Sequence, residues 1–191
     1  MVRKGDDVRA AVYRRFGGPE VVRVEEVQKP VAKGGEVLVR VVASTVSAAD
    51  YRMRTRDLPK GLGFFGPLTI GIFGPRKKIL GMDFAGVVEA VGEGVTRYKP
   101  GDEVFGLTGF SFGGHAEYVC LAEGAAMVPK PAGWSLEDAV ALVFGGHTVS
   151  ECIRRCPIKP GDEVLVNGAS GAVGTAAVQV AKHFGDRKSV V

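Results

Sequence analysis

The stretch Asp162-Glu-Val-Leu-Val-Asn-Gly-Ala-Ser-Gly-Ala-Val-Gly174, with the apolar-periodic run that follows it to Phe184, decides the fold of this chain. Val164, Leu165 and Val166 form a continuous apolar run, as a parallel strand covered on both faces requires. Glycines then recur every three residues at 168, 171 and 174. Gly168 allows a sharp exit from the strand, Gly171 lets the backbone approach a pyrophosphate, and Gly174 lets the following helix pack close. Val173, Ala176, Ala177, Val180, Ala181 and Phe184 fall at i, i+3, i+4, i+7, i+8 and i+11, one face of a helix. Strand, glycine turn and helix together make the opening unit of a dinucleotide-binding fold, with the helix N-terminus facing the phosphates. The expected cofactor contacts are Gly168, Ser170, Gly171, Ala172, Val173 and Gly174. A glycine-rich turn with no ligand is the competing explanation.

Composition narrows the remaining classes. At 191 residues, 46% apolar and 24% charged, the chain has material for a sizeable core and is not a disordered one. The net charge of +4 is spread out, and the clusters Arg52-Met-Arg-Thr-Arg56 and Arg76-Lys-Lys78 lack interleaved aromatics, so no nucleic-acid partner is expected. Cys120, Cys152 and Cys156 are odd in number and unevenly placed, which fits a reducing cytoplasm better than a disulfide framework. Cys152 and Cys156 lack the second pair that a zinc site needs. The charged N-terminus carries no apolar signal core, and the longest apolar stretch, Gly61 to Phe73, is short and broken. A soluble cytoplasmic protein without membrane association is the expectation.

The segment before Lys130 reads as β-structure. Val8 to Tyr13, Val21 to Val27, Glu36 to Ser44, Ala85 to Val91, Glu103 to Leu107 and His115 to Leu121 are short strands between Gly/Pro turns, suggesting a closed or partly open barrel. From Trp134 the pattern turns helical. Ser135 and Asp138 form a capping-box variant opening a helix with Leu136, Ala139, Val140 and Val143, and a second helix is expected from His147 to Arg155. Lys-Pro-Gly-Asp-Glu-Val occurs at 99–104 and again at 159–164; a turn leading into a strand, with Asp folding back on it, explains both without an internal repeat. Between Arg56 and Lys78, the apolar side chains Phe64, Phe65, Ile70, Ile72 and Phe73 suggest either a lid or partner surface, or packing against the barrel.

Gly81-Met-Asp-Phe-Ala-Gly-Val-Val88, Gly92-Glu-Gly-Val95, Pro100-Gly-Asp-Glu-Val-Phe-Gly106, His115-Ala-Glu-Tyr-Val119 and Asn167 to Gly174 follow one another in the order of the medium-chain dehydrogenase/reductase family. The chain resembles that family from Val8 to about Gly185. The resemblance implies an α+β and α/β architecture: a GroES-like barrel as catalytic domain over 1–130, lacking its usual C-terminal return, and the start of a Rossmann domain over 131–191. Zinc-dependent relatives place a Cys after the 36–44 strand and Gly-His-Glu at the later strand. Here those places hold Ser47 and Gly81-Met-Asp83, a poor donor set for zinc, so no metal is expected and the quinone-oxidoreductase-like branch is implied.

The resemblance then implies reduction of a quinone or an α,β-unsaturated carbonyl by hydride transfer from NADPH, with NADH left open, on a small-molecule substrate. Ser47, Asp50 and Tyr51 after the barrel strand, and Thr148 in Gly145-Gly-His-Thr148, are the candidate catalytic groups, Thr148 also as a nicotinamide neighbour. Packing explains Tyr51 as well, and a helix-start role explains Asp50 equally. A non-catalytic NADPH-binding or crystallin-like protein, or an inactive fragment, is the alternative. The sequence supplies one strand where a dinucleotide fold has about six. The residue that selects NAD or NADP is absent. Asp186 to Val191 departs from the apolar second strand of relatives, so the expectation is truncation with unrelated terminal residues and uncovered apolar faces over 163–184. A homodimer is expected of the full-length protein.

Overall fold

The structure, a computed structural model, describes residues 7–58 and 70–190. A β1–β2 hairpin (Asp7–Tyr13 and Val22–Gln28) stands beside a five-stranded sheet of order β6-β3-β4-β5-β7. The sheet comprises β3 (Glu36–Ala43), β4 (Asp83–Val91), β5 (Glu103–Leu107), β6 (Tyr118–Ala122) and β7 (Met127–Pro129), all paired antiparallel. Single bridges Ala10–Ala116 and Val12–Ile79 join the hairpin to it, giving a partly open barrel. β1 to β6 begin and end within a few residues of their expected places, and β7 is a strand the sequence reading did not include. β4 starts earlier, at Asp83, and β6 later, at Tyr118.

Period-two alternation divides the sheet into two faces. Val37, Val39, Phe84, Val88, Val104, Val119 and Met127 point inward and form the barrel core, where the Tyr98 hydroxyl donates to the Met127 carbonyl at 2.5 Å. Their neighbours Ala85, Phe105 and Leu107 point outward, under Val140 and Val143 of α2 (Leu136–Arg155). Both faces of the central strands are thereby buried. A third cluster of Tyr13, Val21, Leu80 and Phe112 receives Met53 from α1 (Ala48–Thr55) and so seats that helix on the barrel.

α2 is one helix of 20 residues, where two were expected. Gly145 and Gly146 do not break it, because a Cβ at 145 would come within 2.5 Å of the Ala172 carbonyl oxygen. Glycine here permits close helix packing and is not a punctuation mark. The Ser135 cap also differs from expectation. Its Oγ accepts the Asp138 N–H at 3.0 Å, but the Asp138 carboxylate takes the Ser135 hydroxyl at 2.7 Å and not the cap backbone. The reciprocal capping box belongs to Ser47 and Asp50, at the start of α1.

Beyond α2, β8 (Glu163–Leu165), α3 (Ala172–His183) and β9 (Lys188–Val190) make a parallel βαβ unit, with Glu163 opposite Lys188 and Leu165 opposite Val190. The expectation that residues after Gly185 depart from a second strand is corrected: Ser189 and Val190 pair with β8. The two Lys-Pro-Gly-Asp turns share one geometry. Asp102 accepts the Lys99 N–H at 3.0 Å, and Asp162 accepts that of Lys159 at 2.8 Å. In the 56–78 segment, Phe64 and Phe65 lie outside the described residues. Of the two alternatives, burial holds for Ile70, while Ile72 and Phe73 are exposed. No helix among the described residues is long and apolar enough to cross a membrane.

Candidate active-site cleft

A cleft of about 620 Å³ lies where the barrel, α2 and the glycine turn meet. The turn contributes Asn167, Gly168, Gly171, Ala172, Val173 and Gly174. Gly168 takes the left-handed conformation, φ 78°, that lets the chain leave the strand, and its carbonyl accepts the Gly171 N–H at 3.1 Å. Gly174 sits so tightly under the turn that a Cβ would overlap the Gly168 carbonyl and lie 2.5 Å from Ala169 Cα. It is the turn, more than the strand, that Gly174 allows to close on the helix. Thr175 donates its hydroxyl to the Ala169 carbonyl at 3.1 Å, fixing the same bend. The N-cap of α3, Gly171, has no side chain to cap it, so the first-turn N–H groups of Ala172, Val173 and Gly174 lie free at the cleft wall. Backbone donors, partial positive charge and room for a phosphate chain fit a dinucleotide. Ser170 is exposed and outside the lining.

The barrel supplies the opposite wall through Thr45, Val46, Ser47, Ala48 and Asp83. Ser47 hydroxyl donates to Asp50 Oδ2 at 2.8 Å, and the Ser47 N–H reaches the same oxygen at 2.8 Å. Asp50 itself is 3% exposed and lies behind this wall, its Oδ1 accepting the Gly81 N–H at 2.8 Å. Nearby, the Tyr13 hydroxyl is buried with no hydrogen-bond partner among the described residues. Burial first, and the Asp50 charge second, push it up to about 12. Tyr51 is half-exposed on α1 with Arg54 over its ring, and Thr148 donates its hydroxyl to the Phe144 carbonyl at 2.7 Å. Asp50, Tyr51 and Thr148 are not in the lining. Of the four candidate catalytic residues, the cleft brings Ser47 alone to the glycine turn.

Two residues on that wall, Asp83 and Thr45, were not among the candidate catalytic or cofactor residues of the sequence reading. Asp83, 1% exposed, accepts the Thr45 N–H at 2.9 Å and the Thr45 hydroxyl at 2.6 Å, and Thr45 offers its carbonyl to His115 Nε2 at 2.9 Å. They are 38 residues apart, and only the β3–β4 register, with Ala43 opposite Ala85, joins them. No signal in the linear sequence marks such a pair. Phe144, one turn before Thr148, lines the cleft from α2.

The Ser47 hydroxyl and the Asp83 carboxylate are engaged as above, and among the described residues no three His, Cys, Asp or Glu side chains converge. The Cys120 thiol, half-buried in β6, is pushed up to about 11 by burial and then by Glu36.

Residues 33–132 match the alcohol dehydrogenase GroES-like domain family. The chain is 36% identical over 173 residues to quinone oxidoreductase of Sus scrofa, covering 90% of this chain and 48% of that protein. It is 33% identical over 191 residues to 2-methylene-furan-3-one reductase of Solanum lycopersicum, covering 95% and 46%. The structure of the quinone oxidoreductase from Coxiella burnetii superposes with a TM-score of 0.83 at 29% identity, covering 97% of this chain and 56% of that one. The chain spans about half the length of the curated relatives it matches. Partly open barrel, βαβ unit and the cleft between them agree with these matches: the chain belongs to the medium-chain dehydrogenase/reductase family, carries its alcohol dehydrogenase GroES-like domain, and is similar to its quinone oxidoreductases.

Proposed function

We propose that this chain serves an NADPH-dependent reductase of quinones or α,β-unsaturated carbonyls that works without metal. The observation that carries the reading is the cleft itself, with uncapped helix N–H groups on one wall and a buried polar barrel surface on the other. When bound, the reduced nicotinamide supplies a hydride. Gly171 to Gly174 would hold its pyrophosphate by backbone donors, and Phe144 and Ala141 give that wall an apolar flank that limits water. Ser47, fixed by Asp50, and Thr45, fixed by Asp83, set the shape of the barrel side. Similarity to a quinone oxidoreductase and to a furanone reductase supports an electron-poor acceptor, and the Ser47, Met82 and Asp83 donor set supports metal-free chemistry. A reducing cytoplasm, a homodimer of the intact protein and a preference for NADPH over NADH belong to the same proposal.

The test is oxidation of NADPH by the intact gene product with a quinone and an enone, each with and without EDTA. Turnover that EDTA leaves unchanged is expected. Loss of rate on chelation would refute the metal-free reading, and tight NADPH binding without turnover would favour a non-catalytic role.

A further inference from the structure

The bend from Ile70 to Arg76 turns two of its apolar side chains outward. The Arg76 N–H closes it on the Ile70 carbonyl at 2.9 Å. Gly71, at φ 129°, makes a turn no side chain would allow, because a Cβ there would overlap the Gly74 carbonyl. Ile70 is buried as the foot of the bend, whereas Ile72 is half exposed and Phe73 wholly exposed at its tip. Scattered single apolar residues are ordinary on a protein surface. An adjacent pair held out by a closed bend, with cations on its flank, is a different arrangement.

The cations come from two parts of the chain. The Tyr13 N–H donates to the Lys78 carbonyl at 2.9 Å, and Val12 and Ile79 form a bridge. A Cβ on Gly74 would sit 3.6 Å from the Arg14 carbonyl oxygen. The bend therefore runs along the end of β1 and brings Arg76, Lys77 and Lys78 beside Arg14 and Arg15, all of them exposed. Arg14 and Arg15 line one surface hollow with Arg23, Glu20 and Glu25. Glu25 is held by Arg14 at 2.5 Å, and Glu20 accepts the Gly18 N–H at 3.0 Å. Arg15, Arg76 and Lys77 have no ion pair among the described residues, so positive charge dominates. Along the sequence Arg76-Lys-Lys78 has no interleaved aromatic; the fold sets Phe73 beside it.

We propose that this bend and the end of β1 form a peripheral docking surface for a lipid bilayer with anionic headgroups. Phe73 and Ile72 enter the interface while the cations meet the headgroup phosphates and carboxylates. A projecting tip offers a protein partner little area, where a stable complex usually takes about 800 Å² a side. A bilayer needs no matching shape. The absence of a spanning helix among the described residues rules on crossing a membrane and not on lying against one. None of these residues lines the cleft, so the inference stands apart from what the cleft binds.

Sedimentation of the intact gene product with vesicles tests it, using phosphatidylcholine alone against an equimolar mixture with phosphatidylserine. Binding to the anionic vesicles is expected to be about tenfold tighter and to weaken as salt is added. Phe73→Ser should weaken it about tenfold, and Lys77→Ala combined with Lys78→Ala by a similar factor, with thermal melting unchanged. Should Phe73→Ser misfold, Ile72→Ser reads the same apolar contribution. Absence of binding, equal binding to the two vesicle types, or binding that neither variant changes overturns the inference. Tighter binding to a DNA duplex or to inorganic polyphosphate than to the anionic vesicles, indifferent to Phe73→Ser, also overturns it and leaves a site for soluble polyanions.

Discussion

Asp50 binds Gly81 across 31 residues of chain, its Oδ1 accepting the Gly81 N–H at 2.8 Å while its Oδ2 closes the capping box on Ser47. One buried carboxylate thus ties the start of α1 to the entry of β4. Gly81 also offers its carbonyl to the Thr108 hydroxyl at 2.9 Å and to the Gly114 N–H at 3.1 Å, so the same residue anchors the loop before β6.

Asp50→Ala leaves the Gly81 N–H and both Ser47 donors without their acceptor. Unpaired buried donors cost about 1–3 kcal/mol each before relaxation, so a loss of about 3 kcal/mol of stability is expected. Chemical denaturation reads it as a lower midpoint at unchanged slope. A loss under about 0.5 kcal/mol would show the junction to be dispensable.

Tyr13→Phe removes a buried hydroxyl with no partner among the described residues, and is expected to stabilise the protein by about 1 kcal/mol. The pH dependence has a definite sign. Burial first and the Asp50 charge second raise the folded pKa from the ordinary 10.0 to about 12, so the unfolded chain releases the phenol proton first: stability carries no such loss below pH 10 and falls as pH climbs toward 12. The gap between Tyr13→Phe and the unaltered protein should therefore widen over that window in alkaline denaturation. A constant gap would contradict the assigned shift.

Adjacent glycines in α2 should respond oppositely. At Gly145 a Cβ comes within 2.5 Å of the Ala172 carbonyl, whereas at Gly146 nothing lies within 4 Å. Gly145→Ala is expected to cost about 1–3 kcal/mol and to weaken NADPH binding by displacing the start of α3. Gly146→Ala should gain about 0.5–1 kcal/mol from helix propensity alone. Thermal melts of the two variants give the comparison.

Asp102→Ala and Asp162→Ala remove the same turn hydrogen bond in two unrelated surroundings, one before an antiparallel strand and one before a parallel one. Local turn chemistry predicts similar losses, about 1 kcal/mol each. A large inequality, measured by urea denaturation, would mean that tertiary neighbours and not the turn set the cost.

What the linear sequence determined is what short-range physics controls. Alternation of Val and Phe placed the barrel strands, the repeated Lys-Pro-Gly-Asp stretch specified its turns, and glycines 168, 171 and 174 shaped the bend before α3. It misjudged Gly145, because a glycine that relieves a clash with another helix looks the same as one that ends its own. It missed β9, since three residues without a strong apolar pattern become a strand only where β8 offers open hydrogen-bonding groups. Tertiary structure alone decided that Thr45 meets Asp83, that Asp50 turns away from the cleft toward Gly81, and that the Ser47 hydroxyl is spent on its own cap. Those outcomes depend on strand register and on which buried donors need an acceptor, and both are settled only when segments distant in sequence come together.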